Sequence, residues 1–181
     1  MFLAKNPHLL TSLFVLLSGN LFSQHGEETI PWSADRKLQW SDYRGSYLKT
    51  EWAAATTASG IGYELSSVEK DGRWYLDIEV KCEFFPDKSW YRPELCDSIT
   101  LSHEQLHFDI AELHARKMRK RLAGTQFTEN VKEEVKAIYI DILKQLRQFQ
   151  NKYDHETDFS RDLQQQLLWN RTIAEDLAGE Q

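Results

Sequence analysis

Trp74-Tyr75-Leu76-Asp77-Ile78-Glu79-Val80-Lys81-Cys82-Glu83-Phe84 alternates apolar and polar residues without a break. A period of two marks a β-strand with one buried face. Trp74, Leu76, Ile78, Val80, Cys82 and Phe84 are therefore expected on one side of a sheet. Upstream, Lys70-Asp71-Gly72 is a turn signal, and before it Ile61, Tyr63 and Leu65 alternate within residues 52–65. Two alternating runs joined by a tight turn predict an antiparallel hairpin. Pro86 ends the second strand, and a loop through Ser89-Trp90-Tyr91-Arg92-Pro93 leads away from it.

Downstream the period changes to that of a helix. Asp97 or Ser98 is a good N-cap for a helix running to Ala123, with Gly124 as its C-terminal stop. Arg116, Lys117, Arg119, Lys120 and Arg121 crowd its last turns, where cations favour the negative end of the helix dipole. A second helix is predicted from about Thr128 to Tyr153. Its residues Val131, Val135, Ile138, Ile142, Leu146, Phe149 and Tyr153 recur in steps of three and four, a core-facing stripe. A polar turn, Asp154 to Ser160, then leads to a last helix holding Leu163, Leu167 and Trp169. Leu38 to Gly45 reads as a short strand or turn entering the domain. Strands come first and helices after, which makes the fold class α+β.

At 181 residues, 41% hydrophobic and 28% charged, the chain has the composition of one globular domain. A net charge of −6 argues against a broad grip on nucleic acid. Residues 1–23 carry Lys5, an apolar stretch from Leu9 to Leu17 and small or polar residues after it. That is the layout of a secretory signal peptide, too short to span a bilayer. The expectation is a mature domain at 24–181, without a transmembrane anchor, exported to the periplasm or beyond. Export would permit a bridge between Cys82 and Cys96, the two cysteines of the chain.

The chemistry is concentrated in His103-Glu104-Gln105-Leu106-His107, the pattern H-E-x-x-H inside the first long helix. Histidines four apart stand one turn apart on one face, so both imidazoles can reach a single ion, and neutral imidazole suits Zn2+. Glu104 lies about 100° round the helix from His103, beside the ligand face. From there it can act as a base toward water that the ion has made acidic. Leu106, Ile110 and Leu113 are expected on the core side. A catalytic site needs a third protein ligand. His114 is seven residues beyond His107, about 10.5 Å along the axis, too far to share the ion. Glu112 points away from His103. The polar turn with Asp154, His155, Glu156 and Asp158 is the densest remaining supply.

Several segments together resemble a bacterial, notably Bacteroidetes, family of small secreted proteins. That family is known as a domain of unknown function and described as zinc-dependent proteases, placed with the zincin-like metallopeptidases. Leu38-Gln39-Trp40-Ser41-Asp42-Tyr43-Arg44-Gly45 matches its opening signature, and Lys88-Ser89-Trp90 the segment before its site helix. His103 to Arg116 matches its central motif. Tyr153-Asp154-His155-Glu156-Thr157, with Gln166 and Trp169, matches its C-terminal pattern. The resemblance implies a zincin-like domain with His103 and His107 as zinc ligands and Glu104 as catalytic base. In the family a His follows Thr157 by two residues; here Phe159 stands there. His155, one helical turn earlier, is the expected substitute, with Asp158 as the alternative.

The leading expectation is an exported zinc metallohydrolase acting on peptides or proteins, its extended substrate held at the hairpin's exposed edge by strand addition. The second is a zinc-binding protein without turnover that uses the same groove for a peptide or partner, motivated by Phe159. The third is a metal-free interaction domain of the cell envelope.

Overall fold

The computed structural model describes residues 27–47, 53–70 and 73–179, with 67–70 and 73–75 described by backbone only. The expected signal peptide, residues 1–23, lies outside the described residues. Among the described residues, five strands precede three α-helices: β1 Ile30–Pro31, β2 Ala55–Thr56, β3 Ser59–Lys70, β4 Arg73–Phe84, β5 Trp90–Tyr91, α1 Ser98–Ala123, α2 Val131–Glu156 and α3 Leu163–Gly179. The architecture is α+β, as the order of periodicities predicts. No helix among the described residues is long and apolar enough to cross a membrane.

β3 and β4 form the expected hairpin, in register from Ser59 opposite Phe84 to Lys70 opposite Arg73. β1 adds to the base of β4, and β2 pairs separately with β5. The alternation of β4 is used unevenly. Phe84, Cys82 and Val80 are buried, whereas Leu76 is 43% exposed, so the apolar face extends beyond the core it serves. At the hairpin base Trp40 stacks on Tyr91 at 4.5 Å, and Tyr43 meets both Phe84 and Tyr91 edge-on. Gly45 lets the incoming chain seal this corner: a Cβ there would sit 2.8 Å from the carbonyl oxygens of Asp87 and Ser89.

α1 begins at its cap, where the Asp97 carboxylate accepts from the backbone N–H of Ile99 and Thr100 at 2.9 and 2.8 Å. The sheet lies on one side of α1, and α2 and α3 pack on the others. Residues 103–115 are buried without interruption in consequence. Such a helix is ordinarily apolar all round. This one buries His103, Glu104, Gln105, His107, Asp109, Glu112 and His114.

α2 runs antiparallel to α1, with Arg121 paired to Asp141 near one end and Tyr153 against His103 at the other. Its stripe holds as expected through Val135, Ile138, Ile142, Leu146 and Tyr153, and includes Gln150 and Asp154. The helix continues to Glu156, so Asp154, His155 and Glu156 of the expected polar turn belong to its last turn. α3 buries Gln166, Trp169, Ile173 and Leu177. The helix holds Leu163, Leu167 and Trp169 as expected, with Leu163 and Leu167 48% and 57% exposed.

The expected Cys82–Cys96 bridge is absent: both are free thiols. Cys82 is buried on β4 beside Glu112 and Arg119 of α1, whereas Cys96 precedes α1 and its Sγ donates to Ala54 O. Glu112 is about 20 Å along the axis from the start of α1. A disulfide requires Cα atoms within about 7 Å. Burial raises the Cys82 thiol pKa well above its ordinary value, which keeps it protonated and inert.

Candidate metal centre

His103 and His107 stand one turn apart in the buried stretch of α1, with their Nε2 atoms 3.3 Å from each other. The third corner comes from the last turn of α2. Asp154 Oδ1 lies 3.3 Å from His103 Nε2 and 3.0 Å from His107 Nε2. All three side chains are buried, and together they form a group that could hold a metal ion. Zinc bonds of about 2.0–2.1 Å in a tetrahedron place neighbouring donor atoms about 3.3–3.4 Å apart. Two sides of the observed triangle match that edge at 3.3 Å, and the third, at 3.0 Å, is slightly shorter. Two nitrogens and one oxygen are zinc donors, and three protein ligands leave a fourth position open. Three lone-pair atoms packed this closely in a buried setting repel one another unless positive charge lies among them.

The electrostatics agree. Burial disfavours charge on His107, but the Asp154 carboxylate outweighs that and raises the imidazole pKa, with Glu104 adding to the effect. Burial likewise pushes the Asp154 carboxyl up, yet His107 and His103 reverse this and hold it well below the usual carboxylate range. Asp154 is thus an anion facing two nitrogens, the state a metal ligand requires.

Asp154 occupies the place expected for His155 or Asp158, and both of those side chains are exposed. Adjacent residues on a helix point about 100° apart, so with Asp154 facing α1, His155 faces solvent. Asp158 lies past the end of α2 in a left-handed turn, where Asp158, Phe159 and Ser160 have φ of 46°, 53° and 73°. The Phe159 N–H in that turn donates to Asp154 O at 2.9 Å. This backbone bond closes the end of α2. Asp154 was detectable in the sequence. Leu146, Gln150 and Asp154 continue the four-residue step of the α2 stripe, and ending the helix at Tyr153 hid it.

Glu104 differs from every other polar residue of the buried stretch. Gln105 accepts from Leu38 N–H and donates to Asp109; Asp109 also accepts from Trp32 and Lys37. Glu112 accepts from Arg116 and Arg119, and His114 Nδ1 donates to Ile110 O. The Glu104 carboxylate is 7% exposed as a residue and has no hydrogen-bond or ion-pair partner among the described residues. A largely buried carboxylate without a partner is a candidate functional group. His114 is packed edge-on against Phe149, as expected of a residue outside the ligand set.

Residues 98–161 match the family model of a bacterial protein of unknown function (DUF922). The matched stretch is similar to that domain from the first residue of α1 through the left-handed turn, and it includes His103, Glu104, His107 and Asp154. No curated protein and no solved structure matches the chain.

Proposed function

We propose that this protein is an exported zinc-dependent hydrolase that cleaves peptide bonds. The observation that carries the reading is the buried His103–His107–Asp154 triangle with the unpaired Glu104 carboxylate next to it. Zinc held by those three residues would supply Lewis acidity toward a scissile carbonyl and bring the pKa of water to about 7. Glu104 takes the proton from the attacking water and passes it to the leaving amine, a double role open to a carboxylate with no competing donor. The stretch Ala54–Ala58, which feeds β3, lies against the start of α1: Thr57 Oγ1 is 3.3 Å from Glu104 O. An extended peptide pairing along this margin would present its carbonyl to the site. Tyr43, hydrogen-bonded to Thr57 at 2.8 Å, braces that margin from the core side.

The alternative, a zinc-binding protein without turnover, drew its motive from Phe159. With Asp154 available as third donor, no histidine at 159 is needed for the ligand set.

The test is metal analysis with a peptide-library cleavage assay on the wild type and Glu104→Gln. The amide is nearly isosteric but accepts no proton. Glu104→Gln should retain zinc and fold while turnover falls about 10²–10⁴-fold. Equal turnover by both proteins removes Glu104 from the mechanism. Zinc binding without cleavage by the wild type transfers the protein to the alternative.

A further inference from the structure

α3 supplies no atom to the His103–His107–Asp154 triangle, yet its most buried polar side chain is aimed at it. Gln166 is 1% exposed, and its Oε1 lies 2.9 Å from His103 Nδ1 and 2.9 Å from the Tyr153 hydroxyl. Its Nε2 donates to Asn170 Oδ1 at 2.8 Å, and Asn170 Nδ2 donates in turn to Ser102 Oγ at 2.9 Å. The relay leaves α1 at Ser102, crosses to α3 and returns to α1 at His103.

In this circuit the Gln166 amide is oriented with its nitrogen toward Asn170. Its nitrogen is engaged with an acceptor, so the end facing His103 is the oxygen, which can only accept. An oxygen at 2.9 Å calls for a proton on Nδ1. A neutral imidazole protonated on Nδ1 carries its lone pair on Nε2, the atom turned toward His107 and Asp154. Tyr153 holds the ring from its face, stacked at 4.5 Å with planes 22° apart, and its hydroxyl also reaches His103 O at 3.2 Å.

We infer that Gln166 is a positioning residue of the metal centre: it holds His103 in the tautomer that presents Nε2 to the ion, and it thereby couples docking of α3 to metal binding. The inference rests on the metal reading above. Gln166 lies beyond the matched segment 98–161, so α3 completes a site whose donors all lie within that segment. Coupling of this kind is reciprocal: what α3 contributes to metal affinity, the metal returns as stability of α3.

The experiment measures zinc affinity by competition with a chromophoric chelator, and amide hydrogen exchange along α3 with and without zinc. It uses the wild type, Gln166→Leu and Gln166→Glu, each first shown to be folded without metal by circular dichroism. Replacing a ligand's outer partner typically costs about 10–100-fold in metal affinity, and Gln166→Leu should lose that much. Gln166→Glu keeps an acceptor opposite Nδ1 and should match or exceed the wild type. Zinc should slow α3 exchange in the wild type and in Gln166→Glu but not in Gln166→Leu. Equal zinc affinity for wild type and Gln166→Leu overturns the inference while leaving the metal reading intact; a wild type that takes up no zinc overturns both. Should Gln166→Leu not fold, proton–nitrogen NMR correlation on the zinc-loaded wild type decides. A protonated Nδ1 on His103 supports the assignment, and a protonated Nε2 overturns it.

Discussion

α1 carries two buried polar clusters within four turns, and they are built on opposite plans. Toward its C-terminal half, Glu112 accepts from Arg116 Nε at 3.0 Å and Arg119 Nη1 at 2.9 Å. Those arginines also donate to Leu177 O on α3 and Val80 O on β4. The Glu112 carboxylate there is met by two guanidinium groups, and the charges are opposed. Toward its N-terminal half, His103, His107 and Asp154 turn three lone-pair atoms on one point, and Glu104 has no partner among the described residues. Burial alone does not mark a functional residue. The first cluster ties α1 to its neighbours, because a satisfied buried network rigidifies what it joins. The second gathers a carboxylate and two imidazoles on one point, an arrangement that favours a bound positive charge, whether a proton or a metal ion.

The comparison can be broken at its functional end first. Asp154→Ala should lose zinc together with turnover, by more than the roughly 10–100-fold that an outer-partner change costs. His155→Ala and Asp158→Ala should bind zinc as the wild type does in chelator competition. A large loss in either of those, with none in Asp154→Ala, would dissolve the contrast between the clusters.

His114 sharpens the distinction between a buried histidine that binds and one that packs. Burial, aided by the nearby Lys117 charge, lowers its pKa from 6.5 to about 4 despite the bond to Ile110 O. The unfolded chain therefore takes up this proton first as pH falls. The contribution to stability is complete above about pH 6.5, declines between there and about pH 4, and levels off below. At about 1.4 kcal/mol per pH unit the loss attributable to His114 is about 3 kcal/mol. Denaturant titrations of metal-free His114→Asn should show a shallower decline over that interval than the wild type. An unchanged slope would remove His114 as its source.

The smallest effect is expected at the architectural end. Glu112→Gln leaves Arg116 and Arg119 facing an uncharged amide, and a hydrogen bond to a charged group is worth about 1.5–3 kcal/mol. Arg119 is 41% exposed, so water recovers part of that, and about 2 kcal/mol in a urea titration is the expected cost. Zinc affinity should not change. A Glu112→Gln protein that keeps its stability but loses zinc would show the two clusters to be one.

Much of this was legible in the sequence. The hairpin registers as its alternation predicts, and α1 runs from Ser98 to Ala123 with the expected cap and stop. Both histidines lie together because a helix brings i and i+4 to one face wherever it is placed, and Glu104 stands about 100° round beside them. Asp154 was half legible. It lies on the α2 stripe, but its acidic neighbours gave it the look of a solvated turn. The free state of the two cysteines is not legible, because closeness in sequence says nothing of the length of α1 that separates them in space.

What the sequence determined by itself is therefore everything carried by local periodicity: strand faces, helix ends, the H-E-x-x-H pair and the α+β order. Backbone geometry repeats every two residues or every 3.6, whatever surrounds it. Only the tertiary structure decided which residue of α2 meets His103 and His107, that Gln166 of α3 reaches His103, and that Cys82 and Cys96 stay free. Those depend on how far one helix slides along another before its side chains interlock. That offset is set by the packing of all three helices and the sheet at once.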